Sequence, residues 1–151
     1  MNPIILALQL VLMLPVIAFW MSDFDTAWPI PNSVSLVLRL ASVLIVLGSL
    51  AFLIKARQDL GRAFHASPTP RADAELVRVG VYKHFRHPMY TGIQAILLAA
   101  LLSSPSLWML LAVMANTLFY QLKARYEERL LSRKYADYPA YKAETRGVWP
   151  F

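Results

Sequence analysis

Cysteine is missing from all 151 residues of the chain. This absence excludes disulfide bonds, a thiolate nucleophile and any metal site built on thiolates. Charged residues are also scarce, at 16% of the chain, whereas 58% of the residues are hydrophobic. A soluble domain of this length needs more polar surface than that composition supplies. The sequence therefore favours a protein that places most of its surface in lipid.

Charge is almost absent from two long apolar runs. Residues 3–21 carry no charged side chain, and residues 34–54 carry one, Arg39. Each run is close to the roughly 20 residues with which a helix crosses about 30 Å of hydrocarbon. For the first run a secretory signal is the alternative, but no Lys or Arg precedes it and it ends in aromatic residues that suit a membrane interface. We expect two retained spans.

Two further apolar stretches, residues 91–103 and 107–122, flank the short segment Ser104-Pro105-Ser106. Pro88 suits the first turn of the third helix, where its missing N–H costs nothing. The pattern predicts a tight helical hairpin.

The fold class that follows is an all-α integral membrane protein with about four transmembrane helices in two hairpins. Amphipathic helices are expected in the cytoplasm at the C-terminus, because apolar and charged residues interleave after Leu122. We treat residues 1–151 as one membrane domain, with an N-terminal helical hairpin (1–54) and a second part (55–151). The segment 66–71, rich in proline, is expected to be extended.

Basic residues mark one side of the membrane. Apart from Arg39, every Lys and Arg lies in residues 55–90 or 123–151, and the link 22–33 has none. The positive-inside rule then places the N-terminus, the 55–90 segment and the C-terminus in the cytoplasm. Orientation and contact with anionic lipid account for the net charge of +6, so we expect membrane lipid and no nucleic acid as a partner.

The first candidate site lies at the start of the third helix. Because the backbone before Pro88 is biased away from helical geometry, His87 must form the junction between loop and helix. The unpaired N–H groups of the next turn form an anion-binding cup there, surrounded by Arg86, His87 and Tyr90. Taken singly, each has a simpler explanation: the histidine caps the helix, the tyrosine lies in an interfacial belt, and the arginine contacts lipid phosphate.

The second candidate site lies at the cytoplasmic end of the fourth helix, where Glu127 and Glu128 are adjacent. If the helix continues, Lys123 and Glu127 form an i,i+4 pair on an ordinary solvated surface. The functional alternative is that these carboxylates hold a cationic ligand. We expect the two sites to converge at the inner leaflet around one nucleoside-sized cavity.

The segment Arg86-His87-Pro88-Met89-Tyr90, followed downstream by Glu127-Glu128, resembles the RHPxY…EE signature of the isoprenylcysteine carboxyl methyltransferase family. Bacterial phospholipid N-methyltransferases are looser relatives of that family. The resemblance runs from about Leu60 to the C-terminus. It implies a membrane methyltransferase that uses S-adenosylmethionine and releases S-adenosylhomocysteine, with residues 55–151 as the cofactor-binding core.

The resemblance also implies roles for individual residues. Cofactor contacts are implied for the signature and the segment before it, at Glu75, Leu76, Val77, Tyr82, Arg86, His87, Pro88, Met89, Tyr90, Glu127 and Glu128. A basic residue before the acidic pair serves the substrate side, either Lys123 or Arg125. His87 is the nearest candidate base for an amine acceptor. No metal is expected, since methyl transfer needs alignment rather than a Lewis acid.

The acceptor stays open between a thiol, a carboxylate, an amine and a lipid, and so does the oligomeric state. Eukaryotic members of the family carry more spans before the signature, and prenylated proteins are eukaryotic. A lipophilic methyl acceptor in a bacterial inner membrane is therefore expected, rather than isoprenylcysteine. Two alternative functions are a membrane reductase of the sterol-reductase type, with a nicotinamide cofactor, and a non-enzymatic adaptor that binds anionic lipid.

Overall fold

The computed structural model describes residues 3–21, 28–61 and 76–148. Within these ranges the chain contains five α-helices and no β-strand, which confirms the all-α prediction for this part of the protein. A 3-10 turn, Gly80–Lys83, precedes the third helix. The predicted loop at 66–71 and the candidate residue Glu75 lie outside the described residues. The helices are α1 (Pro3–Met21), α2 (Asn32–Leu60), α3 (Pro88–Ser103), α4 (Leu107–Lys134) and α5 (Tyr138–Glu144).

Helix α2 is the one helix among the described residues that is both long enough and apolar enough to cross a membrane by itself. Its 29 residues span about 43 Å at 1.5 Å per residue, more than the hydrocarbon thickness. Large apolar side chains on it point outward, among them Leu44, which is 70% exposed. The apolar helical stretches Ala7–Ala18 and Pro88–Ser103 are shorter. The four-span arrangement therefore stays a prediction.

The helices pair differently from the predicted N-terminal hairpin of residues 1–54. In the described structure α2 packs mainly along α3, and α1 packs mainly along α4. Gly92 allows the close approach of α3 to α2, because a Cβ atom there would lie 2.7 Å from Leu53 Cδ2. On the other side, Asn116 Nδ2 donates to the Leu12 carbonyl at 2.8 Å. Small residues and interhelical hydrogen bonds thus select the partners, as is usual for helices in lipid.

The predicted turn at Ser104-Pro105-Ser106 is confirmed. Helix α4 begins after Ser106, whose hydroxyl accepts a hydrogen bond from Met109 N at 3.1 Å and caps the helix. The Trp28 N–H donates to the Pro105 carbonyl at 3.0 Å, so the segment before α2 lies at the same end as this turn.

At the opposite end of the molecule, the last turns of α2, the start of α3 and the second half of α4 come together. Helix α4 runs without interruption past Leu122 to Lys134. Side chains at i,i+4 spacing on one face of α4 are buried, namely Asn116, Tyr120, Ala124 and Glu128. This face carries one of the predicted carboxylates, Glu128, into the interior of the helical assembly.

Candidate functional site

The start of α3 has the geometry expected from Pro88. His87 is the N-cap residue, with φ −127° and ψ 59°, and Pro88 occupies the first helical turn. The His87 side chain makes no capping hydrogen bond, so the simpler explanation, that this side chain caps the helix, is wrong. His87 is 7% exposed, and its imidazole stacks on the Tyr90 ring with a centroid distance of 5.4 Å and an interplanar angle of 3°.

Tyr90 joins the start of α3 to the second half of α4. Its hydroxyl donates a 2.6 Å hydrogen bond to Glu127 Oε1. His87 Nδ1 lies 3.7 Å from the other oxygen of the same carboxylate. The Tyr90 ring also lies 5.2 Å from the Tyr120 ring, centroid to centroid. The two candidate sites that the sequence places far apart along the chain therefore form one cluster.

Glu127, whose side chain is 15% exposed, has no strong cationic partner among the described residues. Burial raises its pKa above the usual range, while the Tyr90 hydrogen bond, His87 and Lys123 act in the opposite direction. The ion pair predicted between Lys123 and Glu127 does not form. Lys123 Nζ instead donates to Gln9 Oε1 at 3.1 Å. A positively charged ligand group would therefore find an acid here whose charge is only partly balanced by the protein.

The Glu128 carboxylate, by contrast, is already paired with cationic side chains of the protein. It accepts from Arg86 Nε at 2.8 Å and from Lys142 Nζ at 2.6 Å. His87 Nε2 lies 3.4 Å away, in an orientation that gives no hydrogen bond. Burial alone would raise the pKa of Glu128, but its contacts with His87, Lys142 and Arg86 outweigh that effect and hold the pKa well below its usual range. The second carboxylate of the pair thus stabilises the structure.

Arg86 fastens the C-terminal segment to the start of α3. Its Nη1 donates to the carbonyl oxygens of Lys142, at 2.9 Å, and Thr145. Its backbone N–H donates to the Arg146 carbonyl at 2.9 Å, and the Arg146 N–H returns a bond to the His84 carbonyl. The sequence placed Arg86 at an anion-binding cup, and this expectation is corrected: its Nε, its Nη1 and its backbone N–H already donate to protein acceptors.

The loop before α3 is held from two sides. Tyr82 is buried, and its carbonyl accepts a 2.7 Å hydrogen bond from the Tyr141 hydroxyl of α5. From α2, Asp59 Oδ2 accepts from the Val81 N–H at 2.9 Å. Gly80 makes this contact possible with a φ of +59°, since a Cβ atom there would lie only 2.0 Å from Asp59 Oδ2.

The remaining predicted residues differ in how close they lie to the cluster of His87, Tyr90 and Glu127. Lys123 Nζ lies 5.1 Å from the centre of the Tyr90 ring, within the range of a cation–π contact. Arg125 lies at an exposed position on α4. Pro88 is buried, and Leu76, Val77 and Met89 are half-buried. Of the two candidate basic residues, Lys123 is therefore the one next to the cluster.

Two buried tyrosines were not among the predicted site residues: Tyr120, whose ring contacts Tyr90, and Tyr138, at the start of α5. Tyr120 and Tyr138 are each 1% exposed, and the Tyr138 hydroxyl and His87 Nε2 have no hydrogen-bond partner in the part of the chain that the structure describes. The i,i+4 spacing that joins Tyr120 to Glu128 through Ala124 was the available signal for the first. Buried polar atoms without partners are costly, and a ligand that bonds to them removes that cost.

The comparison with protein families agrees with this geometry. A family model described as phospholipid methyltransferase matches residues 35–138, well over half of the chain. The chain therefore belongs to the phospholipid methyltransferase family, which is related to the isoprenylcysteine methyltransferases that its motifs resemble. Family membership implies a membrane methyltransferase. A search of curated proteins finds no match.

Proposed function

We propose that the protein is an S-adenosylmethionine-dependent methyltransferase that modifies a lipophilic acceptor at the cytoplasmic face of a bacterial inner membrane. The observation that carries the proposal is the largely enclosed carboxylate of Glu127, 15% exposed, which is held by Tyr90 and close to His87 in a chain of this family. In the proposed topology α1 to α4 span the membrane. The cluster then lies just beyond the spanning part of α4, residues 107–122.

The side chains of the cluster fit this cofactor. S-adenosylmethionine carries an ammonium group, a sulfonium charge, a carboxylate and a flat adenine. Glu127 offers a buried negative charge to one of the cationic groups, and nearby tyrosine rings offer their faces to the sulfonium. His87 Nε2 and the Tyr138 hydroxyl, which have no hydrogen-bond partner among the described residues, offer hydrogen bonds to the polar groups. The adenine would pack on Tyr82 and on the aliphatic side chains of Leu76 and Val77.

The chemistry demands little of the protein beyond alignment. When bound, the cofactor supplies a methyl group on a positively charged sulfur, which is already activated for displacement. The residues around it hold the acceptor in line with that group and exclude water. His87 accepts a proton at Nε2 if the acceptor is an amine, and the nearby Glu127 carboxylate stabilises the imidazolium that results. Burial of His87 also protects the reacting centre from bulk solvent.

Lys123 is the better candidate for the acceptor side. Its ammonium lies over the Tyr90 ring and beside α1, at the boundary between the cluster and the apolar helices. An anionic group of a lipophilic acceptor would meet this charge as it reaches the cluster. Arg125, exposed on α4, is suited to contact lipid phosphate at the membrane surface instead.

Calorimetric titration of detergent-purified protein with S-adenosylhomocysteine tests the proposal. We expect micromolar affinity for the wild type. Removing the charge in Glu127→Gln should weaken binding about tenfold or more, as expected for a charge-assisted contact of roughly 1.5–3 kcal/mol. Glu144→Gln, at an exposed position of α5, is the matched control and should bind like the wild type. Absence of both heat and a thermal shift for the wild type would contradict the proposal.

The same titration separates the two alternative functions. A reductase would bind NADPH in competition with S-adenosylhomocysteine, and the proposal predicts no such competition. An adaptor that binds anionic lipid through charge alone would keep its binding in Tyr90→Phe, because this substitution changes no charge. A loss of cofactor affinity in Tyr90→Phe would exclude the adaptor.

A further inference from the structure

Helix α1 brings a polar side chain, that of Gln9, to the edge of the candidate site. Gln9 lies outside the residues 35–138 that match the family model. Its Oε1 accepts a hydrogen bond from the Lys123 ammonium at 3.1 Å. A polar side chain in an apolar helix is costly in lipid, and such residues commonly mark functional positions. The family signature does not account for this contact.

The packing of α1 on α4 places Gln9 opposite Lys123. Helix α1 packs mainly along α4, and Asn116 Nδ2 of α4 also donates to the Leu12 carbonyl of α1. Between these two contacts the residue number rises along α1 and falls along α4, so the helices run antiparallel. Two contacts at different heights fix the register, and they bring Gln9 to α4 about one turn before Glu127.

Lys123 lies between two acceptors, Gln9 on α1 and Glu127 further along α4. An i,i+4 spacing of Lys and Glu on a helix usually allows the two charges to pair. Burial lowers the pKa of Lys123, and the charge of Glu127 acts in the opposite direction, so the two groups interact. The ammonium nevertheless bonds to Gln9 and lies 5.1 Å from the centre of the Tyr90 ring. The contact with Gln9 thus competes with an ion pair that would occupy Glu127.

This competition decides whether the Glu127 carboxylate is available to a ligand. The carboxylate accepts from the Tyr90 hydroxyl and forms no ion pair with a Lys or Arg of the described residues. An ammonium paired with it would neutralise its charge and repel the cationic group of S-adenosylhomocysteine. A hydrogen bond from a charged donor, together with a cation–π contact, is stronger than an i,i+4 ion pair on a solvated helix. The Gln9 amide and the Tyr90 ring therefore suffice to hold Lys123 away from Glu127.

We propose that Gln9 is a positioning residue, which holds the Lys123 ammonium apart from Glu127 and so keeps this carboxylate available to a cationic group of the cofactor. The inference rests on the proposed function. Without the Gln9 amide, the lysine pairs with the glutamate at i,i+4 spacing. This pair must then be broken before the cofactor binds, so affinity falls although no cofactor contact has been removed. A glutamine that served only the packing of α1 on α4 would show no such dependence on Lys123.

Carbodiimide cross-linking of the detergent-purified protein tests the position of Lys123 without any ligand. A hydrophobic carbodiimide activates a carboxylate, an amine in contact with it forms an amide bond, and the displaced oxygen leaves in the urea product. Peptide mapping by mass spectrometry identifies the amides. In the wild type we expect an amide between Lys142 and Glu128, whose charged atoms are 2.6 Å apart. We expect little amide between Lys123 and Glu127.

Substitutions of Gln9 should redirect the cross-link. Gln9→Leu removes the acceptor and should increase the Lys123–Glu127 amide about fivefold or more, the change in population expected for one lost hydrogen bond. Gln9→Glu keeps an acceptor and should instead join Lys123 to residue 9. Gln58→Leu makes the same chemical change at an exposed position of α2, and this control should match the wild type.

Calorimetric titration with S-adenosylhomocysteine tests the consequence for the cofactor. Gln9→Leu should weaken binding about fivefold, because of the same change in population. In a Lys123→Met background the same substitution should change affinity by less than about twofold, since no ammonium is left to pair with Glu127. Gln9→Glu, which still holds Lys123, should bind more tightly than Gln9→Leu.

A Lys123–Glu127 amide as abundant in the wild type as in Gln9→Leu would overturn the inference. So would its absence from the variant while the Lys142–Glu128 amide forms. An equal loss of affinity in both Lys123 backgrounds would also overturn it, because Gln9 would then serve the structure alone. Failure of the wild type to bind S-adenosylhomocysteine contradicts the proposed function, and the cross-links still decide whether Gln9 holds Lys123.

Discussion

The hydroxyl of Tyr90 and the carboxylate of Glu127 form a 2.6 Å hydrogen bond between the first turn of α3 and the second half of α4. This bond orients a carboxylate that is 15% exposed and whose pKa is raised by desolvation. Among the described residues Glu127 forms no ion pair with a Lys or Arg. The hydrogen bond joins the two motifs of the sequence in one site. The coupling between Tyr90 and Glu127 can therefore be measured by substituting each residue.

Removal of that hydroxyl should weaken cofactor binding through Glu127. In Tyr90→Phe we expect the affinity for S-adenosylhomocysteine to fall about three- to tenfold, the scale of one typical hydrogen bond, because the hydroxyl acts on the cofactor only through Glu127. In the double variant with Glu127→Gln, the two losses should not add, because both act on the same contact. Calorimetry on the four proteins of this cycle measures the coupling. Full additivity would show that Tyr90 acts independently of Glu127.

Arg86 should matter for stability more than for cofactor affinity. Its side chain is 11% exposed and bonds to Glu128 and to two carbonyl groups of the C-terminal segment. Breaking such a buried pair in Arg86→Ala should cost about 3–5 kcal/mol of the free energy of unfolding. Arg86→Lys keeps the charge but not the fork of donors, so a partial loss is expected.

Denaturant unfolding in detergent micelles, with limited proteolysis of the C-terminal segment, checks this prediction. Arg125→Ala, at an exposed position, is the control and should change stability by less than about 0.5 kcal/mol. Equal stability of Arg86→Ala and Arg125→Ala would show that the contacts of Arg86 do not hold the C-terminal segment.

The two adjacent glutamates should respond to pH with opposite signs. The folded-state pKa of Glu128 is depressed from its ordinary value of 4.5, so its carboxylate contributes stability above that pH, and the contribution is lost as pH falls toward the folded pKa. The folded-state pKa of Glu127 is raised. Its contribution is therefore present below the ordinary value and is lost as pH rises through the folded pKa.

Thermal unfolding between pH 3 and pH 7, about the range in which carboxylates titrate, measures both effects. Glu128→Gln should lose stability at neutral pH and flatten the acid limb of the profile. The Glu127→Gln variant should instead become more stable relative to the wild type as pH rises. The same pH profile in both variants would contradict the assignment of one structural and one ligand-binding carboxylate.

Gly80 should tolerate substitution poorly. Its φ of +59° lies in the left-handed region, and an added Cβ atom would collide with the Asp59 carboxylate. Gly80→Ala should therefore cost at least about 1–2 kcal/mol of the free energy of unfolding. Gly48→Ala is the matched control, because it adds the same atom in open space within a helix and should stabilise it by up to about 1 kcal/mol. Chemical unfolding of both variants compares them, and equal effects would contradict the role of Gly80.

Local signals in the sequence predicted several elements correctly. Pro88 marks the first turn of α3, and the Ser104-Pro105-Ser106 segment separates α3 from α4, because proline and capping serines act through their nearest neighbours. The grouping of His87 and Tyr90 with the glutamates followed from the predicted hairpin, which returns the chain to the side from which it entered.

Other features depend on contacts that no local pattern encodes. The apolar helices α1 and α2 have no strongly polar face, so their periodicity does not identify their partners. Pairing of α1 with α4 depends on individual polar contacts, such as that of Lys123 with Gln9. Arg86 holds the C-terminal segment through backbone carbonyls such as that of Thr145. Backbone acceptors of this kind have no sequence signature.

An experimental structure determined with saturating S-adenosylhomocysteine would show whether the residues around Glu127 bind the cofactor. We predict ligand density between the first turn of α3 and the second half of α4, with a cationic group of the ligand beside Glu127 and a polar group within hydrogen-bond distance of His87 Nε2. Density for the ligand elsewhere, with the Tyr90–Glu127 bond enclosed only by protein side chains or lipid, would contradict it.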